Sequence, residues 1–304
     1  MPRPLNLTAR NFIQDLFSSI ADMRPKFSSA ADERTIEILS HDILTGDDET
    51  SIQRLGTLIL DKYEQLDEDE KRAFFQFLTN ELDLDIAGTQ AHLANYKEQR
   101  SAKHLKSLMT ASEPRRQEYL RRLNQVAGAT QVLVAMRADL LRFAREDETL
   151  RIADLDFAHL FTSWFNRGFL SLKPISWQTP ANLLGKIIKY EAVHAINDWD
   201  DLRRRLQPTD RRCFAFFHPA MPDEPLVFVE VALCKGVPNS IQDVLADRDE
   251  ALLVDEPDCA AFYSISNCQK GLQGISFGNS LIKQVVTDLA AEIPHLKHFV
   301  TLSP

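Results

Sequence analysis

The segment from Ala261 to Pro304 constrains the fold more than any other. Ala261-Phe262-Tyr263-Ser264-Ile265-Ser266 has the aromatic and β-branched character of a strand. Glycines then punctuate Gly271-Leu272-Gln273-Gly274-Ile275-Ser276-Phe277-Gly278, an amphipathic helix follows, and His298 to Leu302 returns to strand. Strand, glycine loop, helix and strand in that order set the free N–H groups of a helix N-terminus beside an open loop, which suits a phosphate or pyrophosphate. The sequence closes at Ser303-Pro304, directly after the last strand, so the sheet and its site are expected to be cut short.

A chain of 304 residues, 44% hydrophobic and 26% charged, is globular in composition and long enough for about two domains of roughly 150 residues. Its net charge of -9 argues against a general nucleic-acid binder, which needs a basic excess, while a small anionic ligand needs only local positive charge. Cys213, Cys234, Cys259 and Cys268 show no CxxC or zinc spacing, so they are expected as reduced core or loop thiols, and no metal is expected. The N-terminus has no apolar signal core, Asp15, Asp22 and Asp32-Glu33 are out of place in a transit peptide, and no apolar run approaches a membrane span. The expected address is cytoplasmic, with no membrane partner.

From Thr8 to Asn166 apolar residues recur at three and four. Ile52, Leu55, Ile59 and Tyr63 mark one face, and Val132, Leu133, Met136 and Leu140 another, so residues 1–172 are expected as a helical bundle. Asp67-Glu68-Asp69-Glu70 suits a helix N-terminus, where the macrodipole favours negative charge. Near Gly168 the pattern changes. Phe169 to Leu172 is strand-like, Thr179-Pro180 predicts an N-cap with proline in the first turn, and helices follow through Ile188 and from Asp198 to Leu206. Strands are predicted at Cys213 to Phe217, Leu226 to Leu233 and Phe262 to Ser266, with Asn239 or Ser240 capping a short helix between the last two. Strand, two helices, three strands, glycine loop, long helix and strand is the order of an acetyltransferase-like, acyl-CoA-binding mixed sheet over residues 173–304. The fold class is thus α + α/β, a helical bundle followed by a truncated GNAT-type domain.

The wording of the chain goes further. Arg211-Arg212-Cys213-Phe214, Glu224-Pro225-Leu226-Val227, Phe262 to Ser266, Gly271-Leu272-Gln273-Gly274, Leu281-Ile282-Lys283, Pro294-His295-Leu296 and Leu302-Ser303-Pro304 together resemble the malonyl-CoA decarboxylase family. Upstream, Arg137 to Leu141, Trp164-Phe165, Gly168-Phe169-Leu170, Glu191-Ala192-Val193-His194 and Trp199 resemble the same family, which extends the likeness from about Val132 to Pro304. Ile293 departs from it, standing where the family often has an aromatic residue.

The resemblance implies a carboxy-lyase of fatty-acid and malonate metabolism that converts malonyl-CoA to acetyl-CoA and carbon dioxide without a metal or organic cofactor, and that self-associates through its helical domain. It implies that Gln273, Gly274, Ile275, Ser276, Phe277, Gly278 and Asn279 bind CoA and that Ser303 is the catalytic serine. The backbone reading agrees, since Gly274 and Gly278 would permit close approach and the helix from Gly278 would aim its positive end at the phosphates. In the family the serine works beside a histidine that lies downstream of the Leu-Ser-Pro motif, and none of the eight histidines here occupies that place, so this stretch is expected to be inactive alone. His298 stands five residues before Ser303, roughly 17 Å along a strand, and His295 falls at a turn. His194 and His218 are expected to be packed or hydrogen-bonded, Ser240 to be a cap, and Lys283 to lie one turn into the phosphate-facing helix. The alternatives are a self-associating helical scaffold and an acyl-CoA-binding protein without decarboxylase activity.

Overall fold

The computed structural model describes residues 32–245, 257–276 and 278–302. The chain divides into two compact units between Phe161 and Thr162.

The first unit is helical: α1 (Ile36–Thr45), α2 (Glu49–Gln65), α3 (Glu68–Asn80), α4 (Ile86–Glu98), α5 (Ala102–Ala111), α6 (Arg115–Leu123), α7 (Ala129–Phe143) and α8 (Arg151–Trp164), the last running on into the second unit. The acidic run is a helix start, as its composition predicts. Asp67 accepts from the Glu70 N–H and Glu70 from the Asp67 N–H, both at 2.9 Å, a reciprocal capping box at α3. Leu55, Ile59 and Tyr63 of α2 and Val132, Leu133, Met136 and Leu140 of α7 are buried with Phe74, Phe75 and Leu78. The two predicted apolar faces therefore share one kind of environment, a dry core.

Polar groups inside this unit are paired. Arg116 lies between Asp156 and Asp83, and the Arg137 guanidinium donates to Asp154 at 2.7 Å. The Tyr63 hydroxyl donates to Asp139 at 3.0 Å, and Lys71 reaches the same carboxylate at 2.9 Å. Helices α4 and α5 pack on each other but bury no residue, and Ile86, Leu93, Leu105 and Met109 remain exposed.

The second unit holds β1 (Ser171–Ile175), α9 (Ala181–Tyr190), α10 (Trp199–Leu206), β2 (Arg211–Phe217), β3 (Val227–Cys234), α11 (Ile241–Leu245), β4 (Cys259–Asn267), α12 (Gly278–Glu292) and β5 (His298–Thr301). The strands form one five-stranded sheet in chain order. Pairings from β1 to β4 are antiparallel, and β5 joins β4 in parallel after the crossover through α12. A helical unit followed by a mixed sheet is the architecture expected from the order of elements.

Strand alternation divides the apolar residues between two faces. Cys213, Ala215, Phe217 and Phe228 pack with Leu184 and Ile187 of α9 and Leu202 and Leu206 of α10. Leu281, Val285 and Leu289, four apart along α12, supply that helix with its buried stripe.

Two local expectations need correction. β1 begins at Ser171 rather than Phe169, because Arg167–Phe169 forms a 3-10 turn whose Gly168 N–H donates to the Asn166 side chain at 3.0 Å. Thr179 does not cap α9. Its hydroxyl accepts from the Ser176 N–H at 3.0 Å, and Pro180 becomes the cap residue, so the helix starts one position late.

Close packing at Gly56 on α2 yields a direct test. A Cβ there would stand 2.5 Å from Val126 Cγ2 and 3.5 Å from Ile43 Cδ1. Gly56→Ala gains up to about 1 kcal/mol of helix propensity, yet overpacking of this kind typically costs about 1–3 kcal/mol. Chemical denaturation should therefore show a net loss of stability.

Candidate functional site

The glycine loop is anchored at its entry. Gln269 donates to the Pro225 carbonyl at 3.0 Å and to Glu224 at 3.4 Å, and Lys186 pairs with Glu224 at 2.8 Å. The Cys268 N–H donates to Leu226 O at 3.0 Å. The turn that joins β2 to β3 thus fixes where β4 leaves the sheet. The chain then coils through the 3-10 turn Lys270–Leu272, with Gln273 N–H on Lys270 O at 3.1 Å and Ile275 N–H on Leu272 O at 3.0 Å.

Gly274 has φ +81, a left-handed conformation that costs a side-chain-bearing residue about 1–2 kcal/mol. A Cβ at this position would meet nothing within 4 Å. The glycine is therefore required by the backbone path, and the space beside it is open to a close approach of the kind the sequence reading gives it. Gln273 and Ser276 are exposed and Ile275 is half-buried. Gly278 and Asn279 are the first two residues of α12, whose leading N–H groups have no intrahelical partner to bond. Phe277 and Ser303 lie outside the described residues.

β5 pairs with β4 only from Cys259 to Phe262, and Leu302 N–H extends the ladder to Phe262 O at 2.9 Å. Beyond it, Tyr263 to Asn267 has no strand on that edge among the described residues. This unpaired edge, along which Tyr263, Ser264 and Ser266 are buried, leads straight into the glycine loop. It begins at a bulge, where Glu230 of β3 lies opposite Ser264 and Val231 opposite Phe262, leaving Tyr263 as the extra residue.

A buried polar cluster adjoins the bulge. Glu230 is 0% exposed, and its Oε2 accepts from Arg205 Nη1 at 3.2 Å. Arg205 also donates to His194 O at 2.8 Å and Ala195 O at 3.0 Å. Glu191 accepts from the N–H groups of Val193 and His194, both at 2.8 Å, and from the Ser264 hydroxyl at 2.8 Å. The Ala192 N–H donates to Ser266 Oγ at 3.3 Å. Glu230 Oε1, Tyr263 OH and His194 Nε2 are buried without a hydrogen-bond partner. Burial pushes the Glu230 carboxyl up to about 7, against the pull of Arg205. Burial would lower Arg205, but the charges of Glu230 and Asp201 prevail and raise it. The one sign of this cluster in the sequence is an acid in the middle of the apolar run Val227–Leu233.

His218 and Ser240 serve the local fold. His218 Nε2 donates to Trp164 O at 3.1 Å while Nδ1 accepts from Ala220 N–H at 3.1 Å, which requires the neutral ring; burial lowers its pKa in the same sense. Ser240 caps α11 by accepting from Asp243 N–H at 3.1 Å. His295 lies in the turn before β5, His298 begins that strand, and Lys283 lies on α12; all three are exposed. The cysteines are free, and burial raises Cys213, Cys259 and Cys268. Among the described residues no cluster of three His, Cys, Asp or Glu could hold a metal ion, and no helix is long and apolar enough to cross a membrane.

Comparison with known proteins gives one consistent family. Residues 168–304 match the malonyl-CoA decarboxylase C-terminal domain and residues 84–165 the malonyl-CoA decarboxylase N-terminal domain. The crystal structure of malonyl-CoA decarboxylase from Rhodopseudomonas palustris superposes with a TM-score of 0.84 at 50% identity, covering 88% of this chain and 66% of that one. Its counterpart from Agrobacterium vitis gives 0.84 at 51% identity, covering 88% and 65%. The mitochondrial malonyl-CoA decarboxylase of Anser anser anser is 38% identical over 198 residues, which are 63% of this chain and 39% of that protein. The aligned stretch thus spans about two fifths of that relative's length.

The buried acid predicts a pH signature. Glu230 holds its proton more tightly folded than unfolded, so its contribution to stability is fully present below about pH 4.5 and is lost as pH rises to about 7. Over that window the parent should lose on the order of 3 kcal/mol relative to Glu230→Gln, measured by denaturant titration at matched pH values.

Proposed function

The chain belongs to the malonyl-CoA decarboxylase family, and from that premise we propose that it forms the CoA-binding part of an enzyme that converts malonyl-CoA to acetyl-CoA and carbon dioxide. The observation that carries this reading is the run of open β4 edge, left-handed Gly274 and α12 N-terminus. Free N–H groups at the start of α12 suit the pyrophosphate. The unpaired edge from Tyr263 to Asn267 offers backbone donors and acceptors to the two amides of the pantetheine arm, in the manner of an added strand.

Decarboxylation breaks the bond between the α-carbon and the departing carboxylate and leaves its electron pair in an enolate of the thioester. Fixed donors must stabilise the oxygen, and a proton must then reach carbon. In this reading Gln273 to Asn279 hold the cofactor-like handle of the substrate, and Ser303 belongs to the reacting end. No metal or organic cofactor is required by this chemistry.

Self-association through the helical unit is a second part of the proposal. Its support is the α4–α5 pair, which buries no residue while exposing Ile86, Leu93, Leu105 and Met109. Light scattering should give a mass above 34.6 kDa, and Met109→Asp should lower it; a monomer at high concentration contradicts this part.

Calorimetry should detect CoA binding that Gly274→Val weakens. The protein that carries this chain should release acetyl-CoA and carbon dioxide from malonyl-CoA in equal amounts, and Ser303→Ala should slow that release by about 100-fold or more. Absence of CoA binding at millimolar concentration contradicts the reading.

A further inference from the structure

Segment 191–196 is fastened to the sheet by buried polar groups at nearly every step. Arg205 grips the carbonyls of His194 and Ala195, Glu230 holds Arg205, and Glu191 and the Ala192 N–H engage Ser264 and Ser266 of β4. Ser264 and Ser266 stand on the stretch of β4 whose outer edge pairs with no strand among the described residues, and Tyr263 is the extra residue of the bulge that starts it.

A buried ion pair is a weak device for stability, because desolvation of both charges offsets their attraction and apolar replacements of equal size often do as well. Here the arrangement also leaves Glu230 Oε1 and Tyr263 OH without partners, on side chains that are 0% and 1% exposed. An ion pair of small net worth to stability is better understood by what it holds in place. The reason available at this place is geometric: the cluster is where β3, β4 and segment 191–196 must keep one fixed relation for the edge to keep its shape.

We infer that Glu230 is a positioning residue of the proposed CoA site, acting through Arg205 to clamp segment 191–196 beneath β4 and so to hold the open edge in the register a pantetheine arm requires. This rests on the CoA-binding reading above and adds to it a residue that touches neither the glycine loop nor α12. Only ionised Glu230 grips Arg205 with full charge, and its carboxyl titrates at about 7. The charged and titratable groups around it are Arg205 and Asp201 of α10, Glu191 and His194 of the clamped segment, Arg211 and Cys213 of β2, and Tyr263 of β4.

The test titrates CoA calorimetrically into the parent protein, Glu230→Gln, and the paired Arg205→Met, Glu230→Leu variant between about pH 6 and pH 8.5, with thermal melts alongside. Near pH 8 both variants should bind CoA about tenfold more weakly, a difference of about 1.4 kcal/mol, while the paired variant melts close to the parent or above it. The ratio of parent to Glu230→Gln affinity should fall toward one as pH drops through about 7. Titration of the CoA phosphates is common to both proteins and cancels in that ratio.

A merely structural role would move the melting temperature and leave the ratio independent of pH. If the paired variant does not fold, the near-isosteric Glu230→Gln alone decides. A parent that binds CoA with a ratio near one at every pH overturns this inference only. A parent that binds no CoA overturns it together with the proposed function.

Discussion

Strand β4 must serve two neighbours of opposite direction, and the second unit is organised around that constraint. Its inner edge runs antiparallel to β3 for its whole length, whereas its outer edge pairs in parallel with β5 for only four residues. Antiparallel neighbours can be joined by a turn, but a parallel neighbour requires a crossover, and α12 supplies it. The glycine loop is the price of entry to that crossover. The chain must leave β4, turn through a left-handed residue at Gly274, and start a helix whose first N–H groups have no intrahelical partner. The path of the glycine loop is then a by-product of the topology, placed by the same hydrogen bonds that anchor Gln269 and Cys268 to the turn between β2 and β3.

The two units handle buried charge differently. In the helical unit Arg116, Arg137 and Asp139 each sit among opposite charges or hydroxyls, Arg116 also donates to Thr79 O, and the Tyr63 and Lys71 partners of Asp139 come from helices far away in the chain. In the sheet unit the Arg205 guanidinium spends two of its bonds on backbone carbonyls of a segment without regular structure. That segment has neither helix nor ladder to bond its carbonyls, and the guanidinium takes their place. Glu230 then answers the charge that this solution brings indoors.

Much of this was legible in the residues because it is periodic or local. Helical spacing marked Leu55, Ile59 and Tyr63; the acids at 67–70 marked a helix start; glycines separated β4 from α12. What was not legible depends on partners far away in the chain. Nothing near Thr179 shows that its hydroxyl serves Ser176, a choice made by the turn it closes. Tyr263 becomes a bulge residue only because of how β4 meets β3, and Glu230 belongs with Arg205, Glu191 and Ser264 only once three elements have packed. The loop residues Gln273 to Ser276 stand where the resemblance leads one to look, but their sequence alone could not say that the space above Gly274 is open.

The five residues from Tyr263 to Asn267 carry a liability as well as an opportunity. Among the described residues no strand pairs with this stretch, and an unpaired strand edge is a template for pairing with another chain, the usual first step of edge-to-edge aggregation; the burial of Tyr263, Ser264 and Ser266 is what shields it here. Natural sheets blunt such edges with charge, proline or an inward lysine, and none of Tyr263, Ser264, Ile265, Ser266 and Asn267 provides one. A small molecule laid along the edge would protect it as well as be held by it. Colloidal behaviour in the presence and absence of such a molecule therefore reports on the same backbone groups that recognition would use.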